Sequence, residues 1–278
     1  MAKGHIGKRL VIEGLSKTYK NGRRVVPVFA GFDLDVSAGE FLVLLGASGC
    51  GKSSLLRIIA GLEEPDTGTE DALELDGRKI SGPGPERGLI FQSYSSFNWL
   101  TATQNVKFGL RYCEIPPSEH ERIALEHLDL VGLRGYADVY PRDMSGGQQQ
   151  RVAIARTLAT RPQLLLMDEP FAALDAQNRE LLQARLLEIW RETRPTVLFV
   201  THDIAEAAFL GQRVLVLGDS PARIVEEVWT DAEIERRVQD RGDAAMGERY
   251  RGDWIRTEPE FYQLVAKLKR ALPSARPE

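Results

Sequence analysis

The chain has 278 residues, of which 43% are hydrophobic, and its 36 Lys and Arg against 40 Asp and Glu give a formal net charge of −4. This composition is that of a globular protein. It excludes a collagen-like, disordered or coiled-coil chain, and a strongly basic protein that holds DNA by bulk charge. The cysteines, Cys50 and Cys113, are too few for a disulfide-rich secreted framework, so we expect reduced thiols.

The first third of the chain is predicted to form strands. Short apolar or alternating runs, each bounded by Gly, Pro or Asn, predict strands at Arg9–Glu13, Val25–Phe29, Phe32–Val36 and Phe41–Leu45. The last run leads into a Gly-rich turn, and a helix with an apolar stripe follows and ends near Gly61. Gly and Pro over 82–85 predict a loop.

The rest of the chain alternates helical patterns with apolar strands. Residues from about 100 to 160 are mostly helical in pattern, with one helix starting at Ser118 and another over Gln149–Leu158. Further strands are expected at 164–167, 197–200 and 214–217, and a helix at 179–190. Such alternation predicts a parallel sheet that is covered by helices on both faces.

The C-terminal region is predicted to hold a linker and a helix. Residues 241–253 are rich in Gly and charge, and the helix beyond them has a capping box in Thr257 and Glu260. Its apolar stripe consists of Phe261, Leu264, Val265, Leu268 and Leu272. We expect this helix to dock on the main domain; the alternative is a docking helix for a partner.

A phosphate-binding loop is predicted at Gly46–Ser53, which reads GASGCGKS and matches the pattern G-x-x-x-x-G-K-[ST]. It follows an apolar strand and precedes an amphipathic helix, which is the context that the pattern requires. The glycines let backbone N–H groups face a phosphate chain, and the helix N-terminus adds positive potential. Lys52 can then reach the β and γ phosphates, and the Ser53 hydroxyl can bind Mg²⁺. A chance match is disfavoured because both flanking elements are predicted.

Two further segments point to the same chemistry. The run LLLMD places Asp168 at the end of a buried strand, where it can hold Mg²⁺, and Glu169 is the candidate base for an attacking water. Without the phosphate loop, this pair reads as a surface turn. Ser145–Gln148 reads SGGQ, which is a capping box for the next helix. Because a capping box does not require two glycines, we interpret the segment as a second phosphate-binding surface as well.

GASGCGKS, MSGGQQQR and LLLMDEP, in this order, resemble ATP-binding cassette (ABC) ATPases over about residues 8–235. The resemblance implies an α/β P-loop NTPase with a mostly parallel core sheet, an N-terminal antiparallel β subdomain and an α-helical signature subdomain at about 95–160. It assigns residues 8–238 to the ATPase domain and 239–278 to the linker and C-terminal helix. The implied cofactors are ATP and Mg²⁺.

The resemblance also implies the roles of individual residues. Gln92 contacts Mg²⁺ and senses the γ phosphate, His202 contacts the γ phosphate, and Tyr19 stacks on adenine. Asp175 belongs to a loop at a dimer interface. The catalytic set is Glu169, His202, Lys52 and Gln92, and the metal set is Ser53, Gln92 and Asp168. The nucleotide-binding set is Tyr19, Gly46, Ala47, Ser48, Gly49, Cys50, Gly51, Lys52, Ser53, Ser54, Ser145, Gly146, Gly147, Gln148 and Asp175.

Simpler interpretations remain for several of these residues. Gln92 can be solvated in its loop, Asp175 can be only a helix N-cap, and Tyr19 can be an ordinary strand-end aromatic. Asp203 and Glu206, just after His202, predict a capping box. The other histidines lack the spacing of a zinc site.

The resemblance implies a head-to-tail dimer in which ATP lies between Lys52 of one chain and Ser145–Gln148 of the other. It places the contact with a membrane permease at Ser93–Asn105, where Tyr94, Phe97 and Trp99 suit an interface or pack under the helical region. The apolar runs are shorter than the ~20 residues that a spanning helix needs, and no signal peptide is visible. We therefore expect a peripheral protein at the cytoplasmic face of the membrane.

The stretch FNWLTATQNVKFGL, and later GDSPARIVEEV and RTEPEFYQLVAKLKRAL, resemble the nitrate/sulfonate/taurine class of importers. This implies transport of a small anion or organic acid, with a permease and, indirectly, an extracytoplasmic substrate-binding protein as partners, and no nucleic acid. One alternative is a soluble ABC ATPase acting on nucleic acid or ribosomes, but such proteins carry insertions or a second cassette. A regulatory module without turnover is disfavoured by Glu169 and His202. An exporter stays open, because the motor motifs do not encode direction.

Overall fold

The computed structural model describes residues 7–22, 24–93, 95–218, 221–230, 256 and 259–272. The strands in this part of the chain are β1 (Leu10–Asn21), β2 (Arg24–Val36), β3 (Phe41–Gly46), β4 (Leu73–Leu75), β5 (Arg78–Lys79), β6 (Arg87–Ile90), β7 (Leu164–Asp168), β8 (Thr196–Thr201), β9 (Arg213–Leu217) and β10 (Ile224–Trp229). The helices are α1 (Lys52–Ile59), α2 (Ala102–Leu110), α3 (His120–Leu130), α4 (Gly146–Ala159), α5 (Ala176–Thr193), α6 (Ile204–Leu210) and α7 (Pro259–Ala271).

The strands form two sheets. A six-stranded sheet has the order β10-β9-β3-β8-β7-β6, and a four-stranded antiparallel sheet has the order β2-β1-β4-β5. In the larger sheet, only the pair of β9 and β10 is antiparallel. The carboxyl ends of β3, β6, β7, β8 and β9 therefore share one edge, which is where ligands bind in open α/β sheets. The mostly parallel α/β fold, with its antiparallel N-terminal sheet, is as the sequence predicts.

Strand β3 lies at the centre of the sheet and separates two apolar cores. Phe41, Val43 and Leu45 pack into the core that includes the helical region. Leu42 and Leu44 pack into the core beneath α1 and the antiparallel sheet. Successive side chains of a strand point to opposite faces, so a continuous apolar run serves both cores. This explains why the run carries no alternation in the sequence.

The predicted break between Val25–Phe29 and Phe32–Val36 is wrong, because β2 is one continuous strand. Gly31 has a φ of +66°, and the pairing with β1 shifts register between Leu15 and Lys17. A residue at positive φ can bulge out of one strand while the ladder continues on both sides. The glycine therefore marks a bulge where the sequence suggested a strand end.

Two helix starts also differ from the prediction. Helix α3 begins at His120, after a 3-10 turn over Pro117–Glu119, and not at Ser118. Helix α4 begins at Gly146, three residues before the predicted Gln149, because Ser145 is its N-cap. The glycines of the SGGQ segment therefore form the first turn of the helix.

Helix α7 packs against α6 and β10. Its residues Phe261, Leu264 and Leu268 are buried in the same core as Phe209 of α6. The docking of this helix on the main domain is therefore seen in the structure, while the predicted linker and Thr257 lie outside the described residues. Within the described residues, no helix combines the length and apolarity that crossing a membrane requires.

Candidate ATP site

The loop Gly46–Ser53 joins the end of β3 to the start of α1. Gly49 and Gly51 have φ values of +84° and +104°, which L side chains rarely adopt. Gly51 is the N-cap position of α1 and has no side chain to cap it, so the first N–H groups of the helix are left for another acceptor. Cys50 is buried. The loop therefore presents uncapped donors at a helix N-terminus, which favours an anion.

Lys52 is held within this loop. Its Nζ donates to the backbone oxygens of Gly46 and Ala47, at 2.8 and 2.7 Å. The Sγ atom of Cys50 lies 3.7 Å from the same nitrogen. The ammonium is buried, and the carbonyl oxygens of its own loop satisfy two of its three donors. It is thus a positive charge beside the uncapped helix turn.

A hydroxyl and a carboxylate meet beside Lys52. Ser53 Oγ donates to Asp168 Oδ1 over 3.0 Å, and Asp168 is the last residue of β7. Burial raises the pKa of Asp168, the hydrogen bond from Ser53 lowers it, and the charge of Glu169 raises it further. Both groups offer hard oxygen atoms, the donor type that Mg²⁺ prefers.

Glu169 contacts two predicted site residues, with a hydrogen bond from Gln92 and a close N···O approach of His202. Gln92 Nε2 lies 3.2 Å from Glu169 Oε2, and His202 Nδ1 lies 3.0 Å from Glu169 Oε1. Gln92 follows β6, Glu169 follows β7 and His202 follows β8, and these three strands are neighbours in the sheet. Parallel neighbours end at the same edge, so residues that are distant in sequence come together. The carboxylate is fixed from both sides.

The backbone of Glu169 also has an unusual conformation. Its φ is +44°, and its N–H donates to the oxygen of Val200 in β8 over 3.0 Å. A non-glycine residue at positive φ is uncommon and is found where the surroundings impose it. The turn directs the chain out of β7 and separates Glu169 from the preceding Asp168.

Tyr19 lies beside the first turn of α1. Its hydroxyl donates to Ser54 Oγ over 3.0 Å, and Lys17 Nζ is 5.4 Å from the centre of its ring. Burial raises the pKa of Tyr19. The ring is half-buried near the end of β1, and its hydroxyl links that strand to the end of the phosphate loop.

The SGGQ segment forms the predicted capping box. Ser145 Oγ accepts from Gln148 N over 3.3 Å, and Gln148 Oε1 accepts from Ser145 N over 2.9 Å. A Cβ added to Gly147 would lie 3.2 Å from the oxygen of Ala173. The first turn of α4 therefore abuts the loop that ends at Asp175.

Asp175 is the N-cap of α5. Its carboxylate accepts from the N and Nδ2 atoms of Asn178, at 3.0 and 2.7 Å, and these bonds lower its pKa. The capping role is thus present in the structure.

The structure places the predicted residues in two groups. The first group lies at the sheet edge and consists of Lys52, Ser53, Gln92, Asp168, Glu169 and His202. The second group is Ser145–Gln148, at the start of α4, with the loop that ends at Asp175.

A family model described as ABC transporter matches residues 29–172. The uncharacterised ABC transporter ATP-binding protein MJ0412 of Methanocaldococcus jannaschii is 50% identical over 229 residues, which cover 82% of this chain and 84% of that relative. The chain belongs to the ABC transporter family. It is an ATPase of the ABC type, and its resemblance to this family is confirmed.

Other relatives of this ABC ATPase carry names of importers. The nitrate import ATP-binding protein NrtD of Synechocystis is 40% identical over 95% of this chain and 94% of the relative. The taurine import ATP-binding protein TauB of Pseudomonas aeruginosa is 41% identical over the same shares of the two chains, 95% and 94%. A solved structure described as a dimeric post-hydrolysis state of the ATP-binding cassette MJ0796 bound to ADP and Pi has a TM-score of 0.71 and 32% identity, covering 80% of this chain and 98% of that one.

Sequence reasoning assigned the wrong partner to Glu206 of the ABC ATPase. Asp203 caps α6 by accepting from Ala205 N and Glu206 N, at 2.8 and 3.1 Å. The side chain of Glu206 does not return to Asp203, and instead accepts from Thr201 Oγ1 and Gln183 Nε2. The predicted capping box is therefore only half present. The sequence signal was an acid in the first turn of α6, but its partners lie on β8 and α5.

The aromatic segment after Gln92 divides between the two predicted roles. Phe97 packs inward, 4.8 Å from the ring of Phe108 and 4.8 Å from the Arg156 guanidinium. Trp99 is 72% exposed, with its ring 5.3 Å from that of Phe97. Tyr94 lies outside the described residues. One aromatic thus anchors the segment, and another presents an apolar surface to the outside.

Asn105, which the sequence did not single out, fixes this segment. It is fully buried in α2, and its Nδ2 lies 3.0 Å from each of the oxygens of Phe97, Leu100 and Thr101. Its Oδ1 accepts from Phe97 N over 2.8 Å. Both ends of one amide thus set the path of the chain that carries Trp99.

Proposed function

We propose that the chain is the ATP-hydrolysing subunit of a membrane importer for a small anion or organic acid. The observation that carries the proposal is the cluster at the sheet edge, where Lys52, Asp168 and Glu169 converge with Gln92 and His202. The names of NrtD and TauB support import of a small anion or organic acid. The permease, the extracytoplasmic binding protein and the position at the cytoplasmic face of the membrane follow from this role.

In the proposed site, the triphosphate of ATP lies on the phosphate loop. The uncapped first turn of α1 and the Lys52 ammonium neutralise its charge. Ser53 and Asp168, with Gln92 nearby, would hold Mg²⁺ through their oxygen atoms. The ion would supply positive charge to the transferred phosphoryl group.

Glu169 orients the attacking water in this scheme. His202 and Gln92 hold its carboxylate from two sides, so the acceptor oxygens keep a fixed direction. A positioned base typically contributes about 10²–10⁴ to the rate. His202 contacts the γ phosphate in addition to Lys52, and Tyr19 contacts the adenine.

The second surface for ATP is the first turn of α4 in another copy of the chain. Gly146 and Gly147 carry no side chains, so an anion can approach their N–H groups closely. The solved relative described as a dimer bound to ADP and Pi supports a dimeric arrangement. Loss of the γ phosphate removes the charge that joins the two copies, and the dimer opens.

The test uses a Glu169→Gln variant, which preserves the size of the side chain but removes the base. We expect phosphate release to fall by about 10²–10⁴, while the variant still binds MgATP and forms dimers in size-exclusion chromatography with light scattering. A further Ser145→Arg substitution should return it to monomers, because the added side chain blocks the exposed turn. The matched control is Glu126→Gln, an exposed carboxylate that pairs with Arg122 on α3.

Normal phosphate release by Glu169→Gln would refute the assigned base. A Glu169→Gln protein that stays monomeric when saturated with MgATP and in the presence of its permease would refute the sandwich of two copies.

A further inference from the structure

Behind His202 lies a chain of polar side chains that do not contact the proposed ATP site. Thr201, Glu206 and Gln183 are each at most 7% exposed. Polar groups are rarely buried unless they are hydrogen-bonded, and a carboxylate is costly to bury. Glu206 accepts hydrogen bonds from both Thr201 and Gln183, so the three buried side chains form one hydrogen-bonded group.

The chain of bonds ends on the peptide that follows His202. Thr201 Oγ1 donates to Glu206 Oε2 over 2.7 Å and accepts from Asp203 N over 2.9 Å. His202 lies between Thr201 and Asp203, so the bond from Asp203 N to the Thr201 hydroxyl fixes the backbone around the histidine. The Nδ1 atom of the His202 ring lies 3.0 Å from Glu169 Oε1.

The other end of the chain is Arg256, in the C-terminal segment. Gln183 Nε2 donates to Glu206 Oε1 over 2.9 Å, and Arg256 donates to Gln183 Oε1. Arg256 also pairs with Glu180 over 3.1 Å, and its guanidinium carbon lies 4.3 Å from the ring centre of Phe209 in α6. We call Arg256, Gln183, Glu206 and Thr201 the C-terminal relay.

The hydrogen bonds of the relay are directed toward Glu206 from both of its ends. The guanidinium donates to the Gln183 oxygen, the Gln183 nitrogen donates to Glu206, and the Thr201 hydroxyl donates to Glu206 from the other side. A carboxylate is the acceptor-only group that this pattern needs. An amide at position 206 can keep accepting from Gln183 only if its N–H groups turn to Thr201. The Thr201 hydroxyl then has to accept, and its own proton loses the carboxylate to which it now donates.

The pKa of Glu206 is raised overall, because the effect of burial is larger than that of the donors around the carboxyl group. Burial raises the pKa of Glu206, and the bond from Thr201 lowers it. The charge of Asp203 raises the pKa, and the charge of Arg179 and the bond from Gln183 lower it. The hydrogen bonds from Thr201 and Gln183 therefore offset part of the cost of burying the Glu206 carboxylate.

We propose that Glu206 and Arg256 are positioning residues for His202, and that the C-terminal segment supports the histidine loop through this relay. The inference rests on the proposed role of His202 in hydrolysis. Neither residue touches the phosphate loop, so MgATP binding through Lys52 and Ser53 stays intact when the relay is broken. What changes is the placement of the His202 ring against Glu169.

The experiment compares Glu206→Gln, Arg256→Met and Arg256→Lys in the full chain. We expect Glu206→Gln and Arg256→Met to lower kcat for ATP hydrolysis by about 5- to 100-fold, since a misplacement near 1 Å can cost 10²-fold, with KM for MgATP within about twofold. Arg256→Lys keeps one donor to Gln183 and should fall in between. The control is Arg270→Met on the exposed side of α7, whose Nε donates to the oxygen of Ala266 in its own helix.

A second readout separates positioning from loss of fold. The chain has four histidines, and labelling them with ¹³C allows the His202 ring signal to be followed by NMR after assignment with His202→Ala. We expect the His202 signal to move in Glu206→Gln and in Arg256→Met, while those of His120 and His127 stay in place.

The outcomes also distinguish this inference from the proposed function. If His202→Ala hydrolyses ATP normally, the role given to His202 is wrong. If His202→Ala is impaired, but a folded Arg256→Met keeps its kcat and its His202 signal, the relay is refuted. Arg256 is partly exposed, so its variant decides the question even if Glu206→Gln does not fold.

Discussion

Gly51 is the position at which the phosphate loop tolerates substitution least. A Cβ added there would lie 2.4 Å from Val28 Cγ1 and 3.1 Å from Phe29 Cζ, at a φ of +104°. At Gly49, where φ is +84°, an added Cβ would meet nothing within 4 Å. The two glycines therefore share an unfavourable backbone conformation, but only Gly51 is pressed against β2.

The difference between Gly51→Ala and Gly49→Ala isolates that contact. The backbone conformation costs both variants about 1–2 kcal/mol. Overpacking against β2 adds about 1–3 kcal/mol for Gly51→Ala alone. We therefore expect Gly51→Ala to lower the free energy of unfolding by about 2–5 kcal/mol in total.

Urea unfolding followed by circular dichroism measures both changes, with the slope of each transition checked for constancy. A Val28→Ala substitution removes the Cγ1 atom that clashes, so the double variant should be more stable than the sum of the single effects predicts. Equal destabilisation by Gly51→Ala and Gly49→Ala, or strict additivity with Val28→Ala, would refute the contact between the phosphate loop and β2.

Three other predictions concern the helical region. Asn105→Ala should lower the unfolding free energy by about 1–3 kcal/mol, because it leaves buried peptide groups unpaired. Asn105→Asp should be at least as destabilising, because the oxygen that replaces Nδ2 would face three carbonyl oxygens. An Asn105→Asp variant as stable as the unaltered chain in urea unfolding would contradict this. Trp99→Ala should leave stability within about 0.5 kcal/mol but reduce co-purification with the permease, whereas Tyr262→Ala, exposed on α7, should reduce neither. Burial lowers the pKa of His127, so the folded state resists a proton that the unfolded state accepts; the unfolding free energy should fall as pH drops below the ordinary histidine range, and it should fall less in His127→Gln.

The sequence predicts the strands whose residues are continuously apolar and misses those whose pattern is short or exposed. Strands β3, β7 and β8 are buried along their whole length and were found. Strand β6 has four residues and β10 buries only Val228, so neither shows a periodicity. Strand β6 brings Gln92 to the sheet edge. Because the sequence did not predict this strand, it gave no structural reason for Gln92 to lie near Glu169.

The local chemistry of the site was predictable, while its assembly depended on sheet order. The phosphate loop and Ser145 capping box follow from spacing within a few residues, and the structure forms both. The meeting of Gln92, Glu169 and His202 requires β6, β7 and β8 to be neighbours, which no local pattern specifies. The partner of Glu206 was missed for the same reason, because Gln183 comes from a distant helix.

The two carbonyl bonds of Lys52 bear on how nucleotide affinity arises. A long, flexible side chain normally loses rotamer freedom when it captures an anion. Here that ordering has already taken place during folding, so an arriving phosphate exchanges partners with a nitrogen whose direction is set. The entropy cost of ordering the Lys52 side chain therefore does not enter the binding free energy of any nucleotide. Differences in affinity between nucleotides then arise from the number of phosphates and from the base.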